Sequence, residues 1–331
     1  MKVVIPMAGR GTRLRPHTLL TPKPLFQIAG KTLVVRLIER LNDSFEEDIT
    51  EIAFVIGDFG TEVEQQLLYT AQSFGAKGSI YHQELPQGTA HAVYCASESL
   101  SGRVVVAFAD TLFYSDFNIS KESGPVIWTK HVENPEDFGV VKTDQSGVVT
   151  DFIEKPQEFV SKKAIIGIYY FNEGEKLNVA LKNLIQQKRI VNGEYRLTDA
   201  LEDMKNQGTK FNTEAVGQWL DCGNSKAVLN TARAIQEHER TFVSPSADLI
   251  NTQIIHPCYI GDNVQIENSV IGPFVSIEDY VTIDNSIIKK AILGKKTKLE
   301  NTILSESILG KYVKIYKKSQ IYDLGDYSKI L

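Results

Sequence analysis

Apolar and polar positions along this chain follow two different rhythms. From residue 1 to about residue 240, short apolar runs alternate with segments of helical spacing. Lys2–Pro6, Glu51–Ile56, Arg103–Ala109, Pro125–Thr129 and Ala164–Phe171 have the length and composition of buried strands. Between them, Thr32–Leu41, Thr61–Phe74, Thr89–Leu100, Glu175–Gln187 and Ser225–Glu239 carry apolar residues at helical steps. Such alternation predicts an α/β fold: a Rossmann-like mixed, mostly parallel sheet with helices on both faces and ligands at the strands' C-terminal ends. Phe138–Lys142 and Val148–Ile153, joined by Thr143-Asp144-Gln145-Ser146-Gly147, read as a hairpin added to that sheet.

Past Ser244-Pro245-Ser246, the expected linker, the rhythm changes. Apolar residues recur at Ile260, Ile266, Ile271, Ile277, Ile283, Ile288, Leu293, Leu299, Leu304, Leu309 and Ile315, in steps of six or five. Val264, Val275, Val281, Thr297 and Val313 stand four residues beyond five of these. This is the hexapeptide repeat of a left-handed β-helix, one short strand per repeat, whose stacked coils bury an aliphatic column. The expected domains are therefore 1–243 and 244–331. Open coil ends and aliphatic ridges on such a helix favour contacts with a second copy, so a homo-oligomer is expected.

Composition narrows the partners. The chain has 331 residues and a net charge of −5, with no basic stretch, which argues against nucleic acid. No apolar run is long enough to span a membrane, and the first residues read as a strand rather than a leader. Cys95, Cys222 and Cys258 are odd in number, widely spaced and without metal-ligand spacing, which fits a reducing, cytoplasmic setting. His17, His82, His91, His131, His238 and His256 show neither metal spacing nor a nucleophile to activate, and a solvent-facing position is expected for His256.

The candidate chemistry begins directly after the first strand, at Met7-Ala8-Gly9-Arg10-Gly11-Thr12-Arg13-Leu14. A glycine-rich turn there lets backbone N–H groups approach phosphate oxygens, and Arg13 and Lys23 add positive charge. Taken singly, Gly-x-Gly is equally a tight strand-to-helix turn, and the third glycine of a dinucleotide fingerprint is missing. Val104–Asp110 is an apolar strand that ends in a carboxylate, and Trp219-Leu220-Asp221-Cys222-Gly223 supplies a second. Two carboxylates converging near phosphates would make a hard-oxygen site for Mg²⁺. Gln83-Glu84-Leu85-Pro86-Gln87-Gly88-Thr89 leads into a helix, and the Gln83 amide can pair with the imide edge of uracil or thymine. Gly139 and Gly167 offer bare backbone on which a sugar ring could lie.

Gly-x-Gly-Thr-Arg with Lys23-Pro24 ten residues beyond Arg13 resembles the signature of sugar-phosphate nucleotidyltransferases, the NDP-sugar pyrophosphorylases. The other motifs follow in that family's order along essentially the full chain, and the β-helix resembles the coils appended to many members. Ala109 departs from the family's Gly-Asp. The resemblance implies that Ala8, Gly9, Gly11, Thr12, Arg13, Lys23 and Thr89 hold the nucleotide, with Gln83 and Gly88 on the base. It implies that Glu154-Lys155-Pro156 takes the sugar phosphate, Glu154 on the hydroxyls and Lys155 on the phosphate, with Gly139, Gly167 and Glu194 alongside. Arg13, Lys23 and Lys155 would then be the catalytic cations, with Asp110 and Asp221 on Mg²⁺. The implied reaction joins a nucleoside triphosphate and a sugar 1-phosphate, with dTTP or UTP and glucose 1-phosphate favoured. Alternatives are the version using GTP and mannose 1-phosphate, a silent regulatory homologue, or a bifunctional enzyme whose β-helix transfers an acyl group.

Overall fold

The computed structural model describes residues 1–115, 119–120 and 122–318; the end of the expected C-terminal tail lies outside the described residues. The chain forms two compact units, Met1–Phe26 with Thr32–Gly223, and Gln27–Lys31 with the chain from Asn224 onward. Among the described residues no helix is long and apolar enough to cross a membrane.

The first unit is built on a nine-stranded mixed sheet. Lys2–Pro6, whose Val3, Val4 and Ile5 are fully buried, lies parallel to Glu51–Ile56 on one side and Val104–Ala107 on the other. Lys77–His82 extends the parallel half at its edge. The sequence pattern misses this strand, because Lys77-Gly78-Ser79 interrupts the apolar rhythm and an edge strand need not be buried on both faces. The other half is mainly antiparallel, with one parallel pair at its side. Lys163–Phe171 runs against Val104–Ala107 and also pairs with Val126–His131 and Gly139–Thr143. Its register shifts between Ile165 and Tyr169, where Gly167 adopts φ +84°. The Gly139–Thr143 and Val149–Glu154 hairpin is present as expected. Asn212–Ala215 closes this side beside Val126–His131.

Two expected elements end early for local reasons. The strand expected to run to Ala109 stops at Ala107, and Phe108–Asp110 form the turn into a short strand, Thr111–Tyr114. The helix from Thr89 stops at Cys95, followed by a 3₁₀ turn at Ser97–Ser99 that buries Ser99.

The second unit is a left-handed β-helix, with all its coil strands parallel. Leu249, Ile266, Ile283, Leu299 and Ile315 stand in register, 17 or 16 residues apart, which accounts for the five-residue steps. Ile254, Ile271, Ile288 and Leu304 form a second aliphatic row. The corners turn through left-handed residues such as Asn251, Asn268, Asn285 and Asn301. Asparagine tolerates that conformation, and these side chains stack, with Asn251 Nδ2 donating to Asn268 Oδ1 at 2.8 Å. The helix Ser225–His238, capped by Asn224 Oδ1 on the Ala227 N–H (3.0 Å), belongs to this unit. The expected linker lies inside it as well, with the Ser244 N–H donating to the Ile260 carbonyl at 2.9 Å.

Candidate active site

At the C-terminal ends of Lys2–Pro6 and Val104–Ala107 lies a cleft of about 570 Å³. The turn after the first strand lines it with Ala8, Gly9, Gly11, Thr12 and Arg13. Gly11 takes φ +57°, and the Thr18 hydroxyl donates to its carbonyl at 2.7 Å, which shapes the turn from within. Lys23 enters from a 3₁₀ turn that Pro24 helps to start. Its side chain is buried, with Nζ 3.0 Å from Asp110 Oδ2.

Asp110 and Asp221 are brought together by a two-stranded pairing of Thr111–Tyr114 with Gln218–Asp221, in which Thr111 and Asp221 are partners. The Cys222 N–H donates to the Asp110 carbonyl at 3.2 Å. The Asp221 carboxyl is pushed above the ordinary carboxylate range, first by desolvation and then by the like charge of Asp110, while Lys23 and Arg13 draw it back. Two carboxylates sharing one place beside a single buried lysine suit a hard divalent cation completed by phosphate and water oxygens. Among the described residues no cluster of three or more His, Cys, Asp or Glu forms, so a closed metal cage is not built.

Gln83, Gly88 and Thr89 line the same cleft, together with Glu194. Gly88 sits at φ +105°, and a Cβ there would lie 2.5 Å from the Tyr195 carbonyl oxygen. Only glycine allows that contact. Gln83 Nε2 donates to the Gly88 carbonyl at 3.1 Å and lies 3.1 Å from His91 Nδ1. His91, discounted from the sequence as a metal ligand or a nucleophile's partner, therefore touches a residue of the cleft. Metal and nucleophile spacing carry no signal for it; its place three residues into the helix that Gly88 opens does.

Gly139, Glu154, Lys155, Gly167 and Asp221 do not line that cleft. Gly139 and Glu154 are strand partners, and a Cβ on Gly139 would lie 3.0 Å from Glu154 Oε2. The buried Thr198 hydroxyl donates to the same oxygen at 3.1 Å, a contact that no sequence motif announces. Lys155 is left-handed at φ +45°, its N–H held by the Phe138 carbonyl at 3.0 Å. A non-glycine residue kept in that conformation costs on the order of 1 kcal/mol or more, and such strain concentrates at functional sites. Gly167 reaches the cleft through Phe108, whose N–H donates to its carbonyl at 3.0 Å. A hydrogen-bonded path joins the two groups: the Tyr195 N–H to the Gln87 carbonyl, the Leu197 N–H to the Thr89 hydroxyl, and Thr198 to Glu154.

Residues 2–238 match the family model described as nucleotidyl transferase. The chain is 28% identical over 318 residues to a glucose-1-phosphate thymidylyltransferase of Streptomyces antibioticus, covering 88% of this chain and 87% of that protein. It is 31% identical over 239 residues to the mannose-1-phosphate guanylyltransferase catalytic subunit beta of Drosophila melanogaster, covering 69% of this chain and 61% of that one. A crystal structure from Bacillus anthracis designated a glucose-1-phosphate thymidylyltransferase shares the fold, with TM-score 0.61 and 24% identity over 73% of this chain and 97% of that one. The resemblance read from the motifs is borne out: the chain belongs to the nucleotidyl transferase family.

Proposed function

We propose that this enzyme transfers a nucleotidyl group from dTTP or UTP to a sugar 1-phosphate, glucose 1-phosphate being the favoured acceptor, with Mg²⁺ as cofactor. The observation that carries the reading is the convergence in one cleft of an open glycine turn, Arg13, Lys23 and Asp110, with Asp221 brought beside Asp110 by the pairing of Thr111 with Asp221. An oxygen of the sugar phosphate forms a bond to the α-phosphorus while the bond to the β-phosphate bridging oxygen breaks, and pyrophosphate leaves. The attacking oxygen is anionic at neutral pH, so no general base is needed. The protein's task is to hold two polyanions in line and to offset their charge. Backbone N–H groups of the turn bind the triphosphate, Arg13 and Lys23 neutralise it, and Lys155 places the acceptor phosphate. Glu154, oriented by Thr198, accepts from sugar hydroxyls. Mg²⁺ held by Asp110 and Asp221 would supply charge stabilisation on the reacting phosphates. The β-helix serves assembly of a homo-oligomer, and three cysteines, odd in number and widely spaced, support a cytoplasmic setting.

The test is pyrophosphate release over a matrix of NTPs and sugar 1-phosphates, with and without Mg²⁺. Release that requires both substrates and the metal, highest with dTTP or UTP, is expected. No release from any pair would overturn the reading.

A further inference from the structure

The orientation of one amide in the cleft is set by its two neighbours. Gln83 is 9% exposed and lines the cleft. Its Nε2 stands 3.1 Å from the Gly88 carbonyl and 3.1 Å from His91 Nδ1. A carbonyl oxygen only accepts, so Gly88 settles that the nitrogen, and not the oxygen, of the amide faces it. The second hydrogen on that nitrogen is directed at His91 Nδ1, which accepts only when the ring is neutral and its proton sits on Nε2. Burial holds His91 below its ordinary pKa and so favours that neutral ring. Cys95 Sγ, 3.9 Å from the same Nδ1, is a weak neighbour that leaves this role unchanged.

We propose that His91 is a positioning residue that, with the Gly88 carbonyl, consumes both amide hydrogens of Gln83 and leaves the nucleotide base an acceptor only. This rests on the nucleotidyl transfer proposed above and deepens it. Gln83 Oε1 has no hydrogen-bond partner among the described residues, and unlike the buried Gln236 Oε1 it is not shut away from solvent. A base held with the centre of its pairing edge at Oε1 must present an N–H there. Uracil and thymine do so with N3–H and guanine with N1–H, whereas cytosine N3 and adenine N1 present a lone pair and carry their amino groups to one side. In that placement the contact admits UTP, dTTP and GTP and disfavours CTP and ATP.

The experiment measures kcat/KM for UTP, dTTP, GTP, CTP and ATP in the wild type and in two variants, His91→Leu and His91→Asn. An unpaired lone pair facing Oε1 predicts a wild-type preference for UTP over CTP of about ten- to a hundredfold. His91→Leu frees one amide hydrogen, so the UTP-to-CTP ratio should fall by about tenfold. His91→Asn sets an acceptor oxygen where Nδ1 stood and should keep the ratio within about threefold. A uniform loss for all nucleotides in His91→Leu would show a structural role only and overturn the proposal, as would a wild type that uses CTP or ATP best. Should His91→Leu not fold, wild-type use of N3-methyl-UTP decides: it should group with CTP, and a rate equal to that of UTP refutes the acceptor-only reading. No pyrophosphate from any nucleotide would instead remove the transferase reading itself.

Discussion

Replacing Lys23 by methionine separates the electrostatic work of the cleft from its packing. Lys23 is 8% exposed, its Nζ lies 3.0 Å from Asp110 Oδ2, and its charge also acts on Asp221. Methionine keeps most of the stem's volume and removes the charge. Unit charges about 4 Å apart interact by about 4 kcal/mol at an effective dielectric near 20. The Asp110 side chain is 45% exposed, however, and water screens it. The stability lost is therefore roughly 1–2 kcal/mol, between the values for exposed and buried pairs. Loss of a group that stabilises developing charge costs more, on the order of 10²–10³ in kcat. The pH profile carries a second signature. Asp221 must be ionised to hold a cation, and its carboxyl is already raised by desolvation and by Asp110, so wild-type turnover should fall as pH drops through that raised value. Removing Lys23 takes away one of the groups that draw Asp221 back, leaving the Gly223 N–H at 3.0 Å and Arg13, and the acid limb should move to higher pH. The assay is pyrophosphate release across pH, with calorimetry as the folding control. A folded variant with kcat within about threefold of wild type and an unmoved acid limb would refute the electrostatic role.

Three further outcomes follow from particular contacts. Gly88→Ala forces a Cβ to within 2.5 Å of the Tyr195 carbonyl oxygen at φ +105°, so a lower Tm in calorimetry is expected, with strain on the order of 1–3 kcal/mol. Glu278, whose carboxyl is raised mainly by desolvation, binds its proton more tightly folded than unfolded, so it weakens the fold above its folded pKa and not below the ordinary carboxylate value. Glu278→Gln should therefore raise Tm at neutral pH and change it little near pH 4 (roughly the unfolded carboxylate value), and the reverse order would count against this sign. Ile287 and Ile303 are adjacent in register on the β-helix and 48% and 75% exposed; Ile303→Glu should lower the mass in solution if this ridge joins subunits, read by light scattering.

Much of this protein was legible in its residues because the governing forces are local. Alternating buried strands and amphipathic helices announce the α/β unit, and steps of six and five announce the β-helix, since each coil must return an aliphatic side chain to one column. The turn at Ala8–Arg13, with Lys23, was readable because glycines and cations together at a strand end suit a phosphate ligand, whereas the glycines alone equally make a tight turn. Sequence period did not reveal Lys77–His82, an edge strand under little pressure to be apolar, nor the change of unit at Asn224, where helix Ser225–His238 looks like any other amphipathic helix.

What the chain by itself determined is therefore the kind of elements, their order and the types of side chain able to meet phosphate, metal and base. Only the tertiary structure decided which of them meet. The pairing of Thr111 with Asp221 sets two aspartates, 111 positions apart in sequence, beside one lysine. Thr198 reaches Glu154 across 44 positions, and His91 faces Gln83 because the helix begins at Gly88. Hydrogen bonds and ion pairs depend on ångström distances between atoms that the chain brings together only by folding, and no spacing along the sequence encodes them.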